Sequence, residues 1–225
     1  MFYSTGFKNT EPGPHNLLFA LDGGPEPYLV PLANGRRIAA NIITSERFLE
    51  VSVGEAGEGY GEDLTRLRGP ALEGDYYPVL HTEYAGGDGV RYTQESFGTS
   101  FPGVEHIVAC MRFSAQAGGR IRVQVGGPAE CLHWSGEATL ADGTLDWRPA
   151  LAAGETAEWY LLWSPGKALP DDALISSARY SELKAQCKAY GDGRLAAGAR
   201  SEVPEPLVMA CMRNLLIQNL MMRWR

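Results

Sequence analysis

The chain has 225 residues, of which 44% are hydrophobic and 21% charged, with a formal net charge of −7. That length carries one large or two small domains with a sizeable core, in the composition range of ordinary soluble globular proteins. The acidic balance, with no Lys/Arg cluster to neutralise phosphates, argues against a nucleic-acid partner.

Short runs rich in branched and aromatic residues recur through the first 165 residues, separated by Gly, Pro, Asp and Asn clusters. They predict eleven strands at 16–21, 28–32, 36–43, 48–53, 77–84, 90–97, 105–113, 120–125, 131–140, 144–148 and 158–164. Asn34-Gly35, Asp88-Gly89, Gly118-Gly119 and Asp142-Gly143 are hairpin signals. Strands joined by turns, with no helix between them, predict a mainly β domain, an antiparallel sandwich or barrel, over residues 1–166. Gly54, Gly57, Gly59 and Gly61, followed by Glu62, Asp63, Arg66 and Arg68, read as a long polar loop, mobile in preference to functional.

After Pro165-Gly166 the pattern becomes helical. Asp171-Asp172 is a helix start, 173–190 the helix, and Gly191-Asp192-Gly193 its stop, within a helical linker over 167–200. A last helix follows in 201–225, with Pro204 and Pro206 at its start and nothing from Leu207 onward to break it. Its polar residues Arg213, Asn214, Gln218, Asn219 and Arg223 point in scattered directions, so it needs apolar partners on most sides. The same central polar residues argue against a membrane span.

Met1 leads into Phe-Tyr-Ser-Thr-Gly with no basic and apolar leader, so no signal peptide is expected and the cytoplasm is the expected location. Cys110, Cys131, Cys187 and Cys211 have no C-x-x-C spacing. No metal site and no cofactor are expected; the thiols read as buried and free, with one disulfide as the alternative.

The densest polar and aromatic stretch runs from Asp75 to Phe97. A symmetric loop at 85–89 would set Tyr84 opposite Val90 and Glu83 opposite Arg91. Leu80, Thr82, Tyr84, Val90, Tyr92 and Gln94 would then share one face, and His81, Glu83, Arg91 and Thr93 the other. That polar face reads either as the lining of a sugar cleft or as a solvated sandwich face. His81, Glu83, Arg91 and Trp134 are the sugar-binding candidates. Trp134, Trp147, Trp159 and Trp163 could stack on sugar rings if exposed, although in alternating strands they read as core. His81-Thr82-Glu83 resembles half of a zinc-deaminase signature whose Pro-Cys-x-x-Cys half is missing. Glycoside hydrolysis needs two carboxyls roughly 5–9.5 Å apart, and no motif selects such a pair, so no catalytic residue is named.

A sandwich, a helical linker, then Pro-Glu-Pro-Leu-Val leading into Asn214-Leu215-Leu216-Ile217-Gln218-Asn219-Leu220 resembles the front of six-hairpin glycosidases. Tyr77-Pro78-Val79-Leu80-His81-Thr82 and Gly89 to Phe97 look like their sandwich strands. The resemblance implies a galactose-mutarotase-like super-sandwich followed by the first helix of a truncated (α/α)6 barrel. It also implies a rhamnosidase- or glucoamylase-like glycoside hydrolase as the parent protein. The catalytic carboxylates of such families come from barrel loops, so none transfers to a position here. The expected role is therefore a non-catalytic domain supporting that barrel, with carbohydrate as partner through the parent enzyme. A stand-alone carbohydrate-binding module is the first alternative. A mutarotase-like epimerase, drawing on His81, His106 or His133 with Glu83 or Glu95, is the second.

Overall fold

The computed structural model describes residues 19–20, 28–31, 36–39, 47–164, 168–198 and 203–221. Among them two antiparallel sheets face each other. The first contains β1 (Phe19–Ala20), β2 (Tyr28–Pro31), β3 (Arg37–Ala39), β4 (Phe48–Val53) and β5 (Glu58–Gly59). The second contains β6 (Leu67–Leu72), β7 (Leu80–Ala85), β8 (Arg91–Phe101) and β9 (Val104–Gln116). The chain returns to the first sheet with β10 (Ile121–Gly126), to the second with β11 (Leu132–Trp134), to the first with β12 (Thr139–Ala141) and β13 (Thr144–Trp147), and to the second with β14 (Thr156–Trp163). The order is β1-β2-β3-β4-β10-β13-β12, with β5 also on β4, against β11-β14-β9-β8-β7-β6. The mainly β, antiparallel expectation therefore holds.

Alternation explains the core between the sheets. Leu49, Val51 and Val53 of β4, Ile121 and Val123 of β10, and Leu145 and Trp147 of β13 point inward from one side. From the other come Tyr84, Tyr92, Met111, Phe113, Trp159, Leu161 and Trp163. Burying two such inner faces is the dominant stabilising term of a sandwich. Trp147 and Trp159 join the sheets directly, stacked with ring centroids 5.6 Å apart and planes 7° apart.

The second sheet is buried on its outer face too. Phe97, Val108, Cys110, Tyr160 and Leu162 form a second core with Leu169, Ile175, Tyr180, Leu183 and Cys187. The last three belong to α1 (Ser177–Ala196). The expected linker helix is thus a third layer on the sheet. It starts later than expected, because Ser176 caps it by accepting from the Arg179 amide at 3.2 Å. It also runs through the glycines read as its stop. Gly191 is buried, and a Cβ there would come 3.4 Å from Ile217 Cδ1, so this glycine permits close helix packing. The neighbour is α2 (Pro206–Met221), whose opening proline fits the first helical position.

Several strand expectations shift. The expected strand 131–140 divides into β11 and β12, one in each sheet, as the chain crosses over at Ser135-Gly136. No strand is expected between 53 and 77, yet β6 forms there; as the edge strand beside β7, it tolerates Pro70, which has no N–H to donate. Asp142-Gly143 forms the β12–β13 turn, with φ of 49° and 72°, the left-handed pair that favours Asp-Gly. Residues 16–18, Asn34-Gly35, 40–43 and Arg223 lie outside the described residues.

The glycine-rich stretch 54–68 is cross-tied. Glu58 accepts from Tyr84 OH at 2.5 Å and from the Gly87 amide at 2.7 Å, and pairs with Arg66. Asp63 Oδ1 accepts from the Thr65 hydroxyl at 2.7 Å and the Thr65 amide at 3.0 Å, while Arg66 Nε reaches Asp63 Oδ2 at 2.9 Å. Those bonds, led by the Thr65 hydroxyl and then Arg66, hold the Asp63 carboxyl down at about 2. A depressed folded pKa means that the tie is fully present above the unfolded aspartate value of ~3.9 and is lost as pH falls through about 2. An NMR titration of the Asp63 carboxyl carbon should therefore show its midpoint near the lower value. A midpoint in the ordinary aspartate range would mean the loop is untied in solution.

Candidate functional site

The β7–β8 hairpin fixes where the sequence-selected residues lie. Its register pairs Tyr84 with Tyr92 and Glu83 with Thr93, two positions from the expected alignment, because Gly86–Val90 closes the turn with the Gly86 amide on Val90 O at 2.9 Å. A slip of two preserves every face, where a slip of one would invert them all. Leu80, Thr82, Tyr84, Tyr92 and Gln94 are indeed buried on the inner side, and His81 and Glu83 stand on the outer side. Glu83 still meets Arg91, diagonally, at 3.3 Å, with Arg68 at 3.8 Å. With Arg91 and Arg68 both largely exposed, these pairs contribute little to stability.

Across the outer face of the second sheet, side chains fall into rows. One row runs His81, Glu95, Arg112, Tyr160; the next runs Glu83, Thr93, Ser114, Glu158. The second row is an open polar strip, with the Thr93 and Ser114 hydroxyls 2.5 Å apart. α1 closes over the first row. Glu95, only 6% exposed, accepts from Tyr180 OH at 2.9 Å and from Lys184 Nζ at 3.0 Å, with Arg112 at 3.4 Å. Lys184 Nζ also sits 2.6 Å from Glu73 Oε2, near enough for an ion pair though off the hydrogen-bonding direction. Burial, more than the adjoining Glu95 charge, pushes the Tyr180 phenol well above the ordinary tyrosine range. A neutral phenol donates to the carboxylate, so the cluster holds a helix to a sheet.

Trp134 is remote from these residues. It is half-buried on the inner side of β11, at the opposite edge of the sheet from β7, with β14, β9 and β8 between. The structure brings His81, Glu83 and Arg91 together and leaves Trp134 apart. His133 Nδ1 lies 2.9 Å from Ala173 O, so that ring is engaged by the backbone ahead of α1. The His106 side chain lies outside the described residues. No histidine forms an ion pair with a carboxylate among the described residues. Trp147, Trp159 and Trp163 are core, and Tyr190 is the one aromatic side chain more than a third exposed among the described residues.

A concave feature lies elsewhere. A groove of about 670 Å³ opens on the outer face of the first sheet, where Thr144 and Asp146 of β13 and Thr139 and Ala141 of β12 meet Arg120 and Arg148. Sequence reading passed over it, although charged residues at 120, 122, 146 and 148 alternate with Ile121, Leu145 and Trp147. That period-two spacing placed them on one outward face. Among the described residues no group of three or more His, Cys, Asp or Glu side chains could hold a metal ion, and no helix is long and apolar enough to cross a membrane. Comparison with family models, with curated proteins and with solved structures finds no match to this chain.

Proposed function

We propose that this chain is the non-catalytic β-sandwich domain of a carbohydrate-active enzyme of the six-hairpin glycosidase type. In this reading it carries and orients a helical catalytic barrel of which α2 is the first helix. The polarity of α2 is the observation that carries the proposal. The side of α2 facing the body holds buried Ile217, with Asn214 Nδ2 donating to Asp75 O at 2.9 Å and the Arg213 guanidinium 5.4 Å from the Tyr76 ring centre. The opposite side carries Leu207, Val208, Leu215 and Leu216, between 45% and 74% exposed. At 100° per residue these four, with Cys211 and Met212, span half the helix circumference. A stripe of that width turned to water is unfavourable unless covered, and neighbouring barrel helices would cover it. The sandwich supplies the rigid base: α1 is anchored by the second core and by Glu95, and α2 rests on α1 through Gly191.

Reading the gene past Arg225 tests this. Continuation into several amphipathic helical hairpins is the expected result. A stop codon at that point in the natural gene, or a continuation without such hairpins, refutes it.

A further inference from the structure

We propose that the groove on the outer face of the first sheet is a binding site for a neutral, polyhydroxylated ligand, a saccharide held by its hydroxyls. Choosing a saccharide among neutral polyols rests on the carbohydrate reading above; the groove and its electrostatics do not.

Three observations carry the inference. The first is shape: at about 670 Å³ the groove is of the size that encloses small ligands. The second is charge balance. Arg120 and Arg148 oppose Glu137 and Asp146 in the lining, two against two. Adding the bonded neighbours Arg122 and Glu55 gives three against three. A charged ligand would leave like charge facing it or pull an internal pair apart, whereas a neutral one leaves the pairs intact.

The third is preorganisation. Arg120 is committed, with Nε on Asp146 Oδ1 at 2.8 Å, Nη2 on Asp146 Oδ2 and Nη1 on Glu55 Oε2 at 2.6 Å. Asp146 uses both oxygens on that fork, and its carboxyl is held below the ordinary range chiefly by the hydrogen bonds from Arg120. These groups form a fixed wall. Arg148 pairs through Nη2 with Glu55 at 2.8 Å and is 65% exposed, and no other ion pair engages it among the described residues, so its other N–H groups are available as donors. The Glu137 carboxylate has no bonding partner among the described residues and is an available acceptor. The Thr139 and Thr144 hydroxyls, on the outer face of the β12–β13 hairpin, can both donate and accept. The Ala138 and Ala141 methyls supply apolar contact for ring C–H groups. Separate donors and acceptors around a neutral cleft match vicinal hydroxyls, each of which gives one hydrogen bond and takes another.

The test is isothermal titration of the chain with neutral methyl pyranosides and neutral di- and trisaccharides, with a hexuronate and a hexosamine as charged controls. Saturable binding of a neutral saccharide is expected. Glu137→Ala and Arg148→Met should each weaken it by about tenfold or more, since each removes a hydrogen bond to a charged group. Both positions are exposed, and unchanged urea midpoints will show that the fold is intact. Three results overturn the proposal: no saturable binding of any neutral saccharide, tighter binding of a charged control than of its neutral counterpart, or parental affinity in both variants. None of them bears on the gene past Arg225, so failure of the groove and failure of the domain reading are separately visible.

Discussion

Replacing Glu95 with alanine is expected to lower the unfolding free energy by about 3 kcal/mol, the low end for breaking a buried ion pair by removing one partner. Glu95 is the acceptor on which Tyr180, Lys184 and Arg112 converge between β8 and α1. Without it, Tyr180 OH is left unpaired in a 2% exposed position, and a buried polar group without a partner is costly. The loss stays near the low end because Lys184 keeps Glu73 and Arg112 keeps Glu158 at 3.1 Å. Glu95→Gln retains an acceptor for Tyr180 while removing the charge, and should cost clearly less. Urea denaturation of the three proteins measures the difference. Hydrogen exchange should also quicken along α1 in the alanine variant, relative to β10 and β13, which lie in the other sheet. An alanine variant within about 0.5 kcal/mol of the parent, the range of an ordinary surface change, would show that the second core alone holds α1.

Trp159→Ala should be larger still, about 3–5 kcal/mol. Trp159 is fully buried and lies between Phe113, at 5.9 Å on the neighbouring strand, and Trp147 of the facing sheet. Removing it takes one half of the stack that joins the sheets and leaves a cavity the sandwich cannot easily close. Its indole Nε1 has no hydrogen-bond partner among the described residues. Trp159→Phe therefore gives up packing but no bond, and should cost well under half as much. Denaturation followed by far-ultraviolet circular dichroism avoids the change in tryptophan fluorescence. Equal losses in the two variants would mean that the indole makes a polar contact in solution.

The sandwich was legible in the sequence because alternation is a local signal. Leu49, Val51 and Val53, or Trp159, Leu161 and Trp163, announce an inner face wherever their partners lie. What spacing could not reveal was a second buried face. The row Phe97, Cys110, Leu162 is covered only because α1 and the segment leading into it lie across it, and no pattern within β8, β9 or β14 names the covering element. The Gly191-Asp192-Gly193 stop misled for a related reason. A glycine that ends a helix and one that lets a second helix approach are the same letter, and only Ile217 distinguishes them. Of the candidate site, faces were legible and neighbours were not. Glu83 and Arg91 share a side as alternation requires, whereas Trp134 sits strands away on the other side of the sheet.

The edges of the second sheet bear on how the protein behaves at high concentration. At one edge, β6 carries Pro70 and an irregular register between Arg68 and Ala71; at the other, β11 is three residues long. A broken edge and a short edge are both poor templates for an incoming strand. Among the described residues, both edges of this sheet therefore disfavour edge-to-edge polymerisation. Self-association of the isolated chain would, in preference to these two edges, use the leucines of α2, as helical contacts that dissociate on dilution.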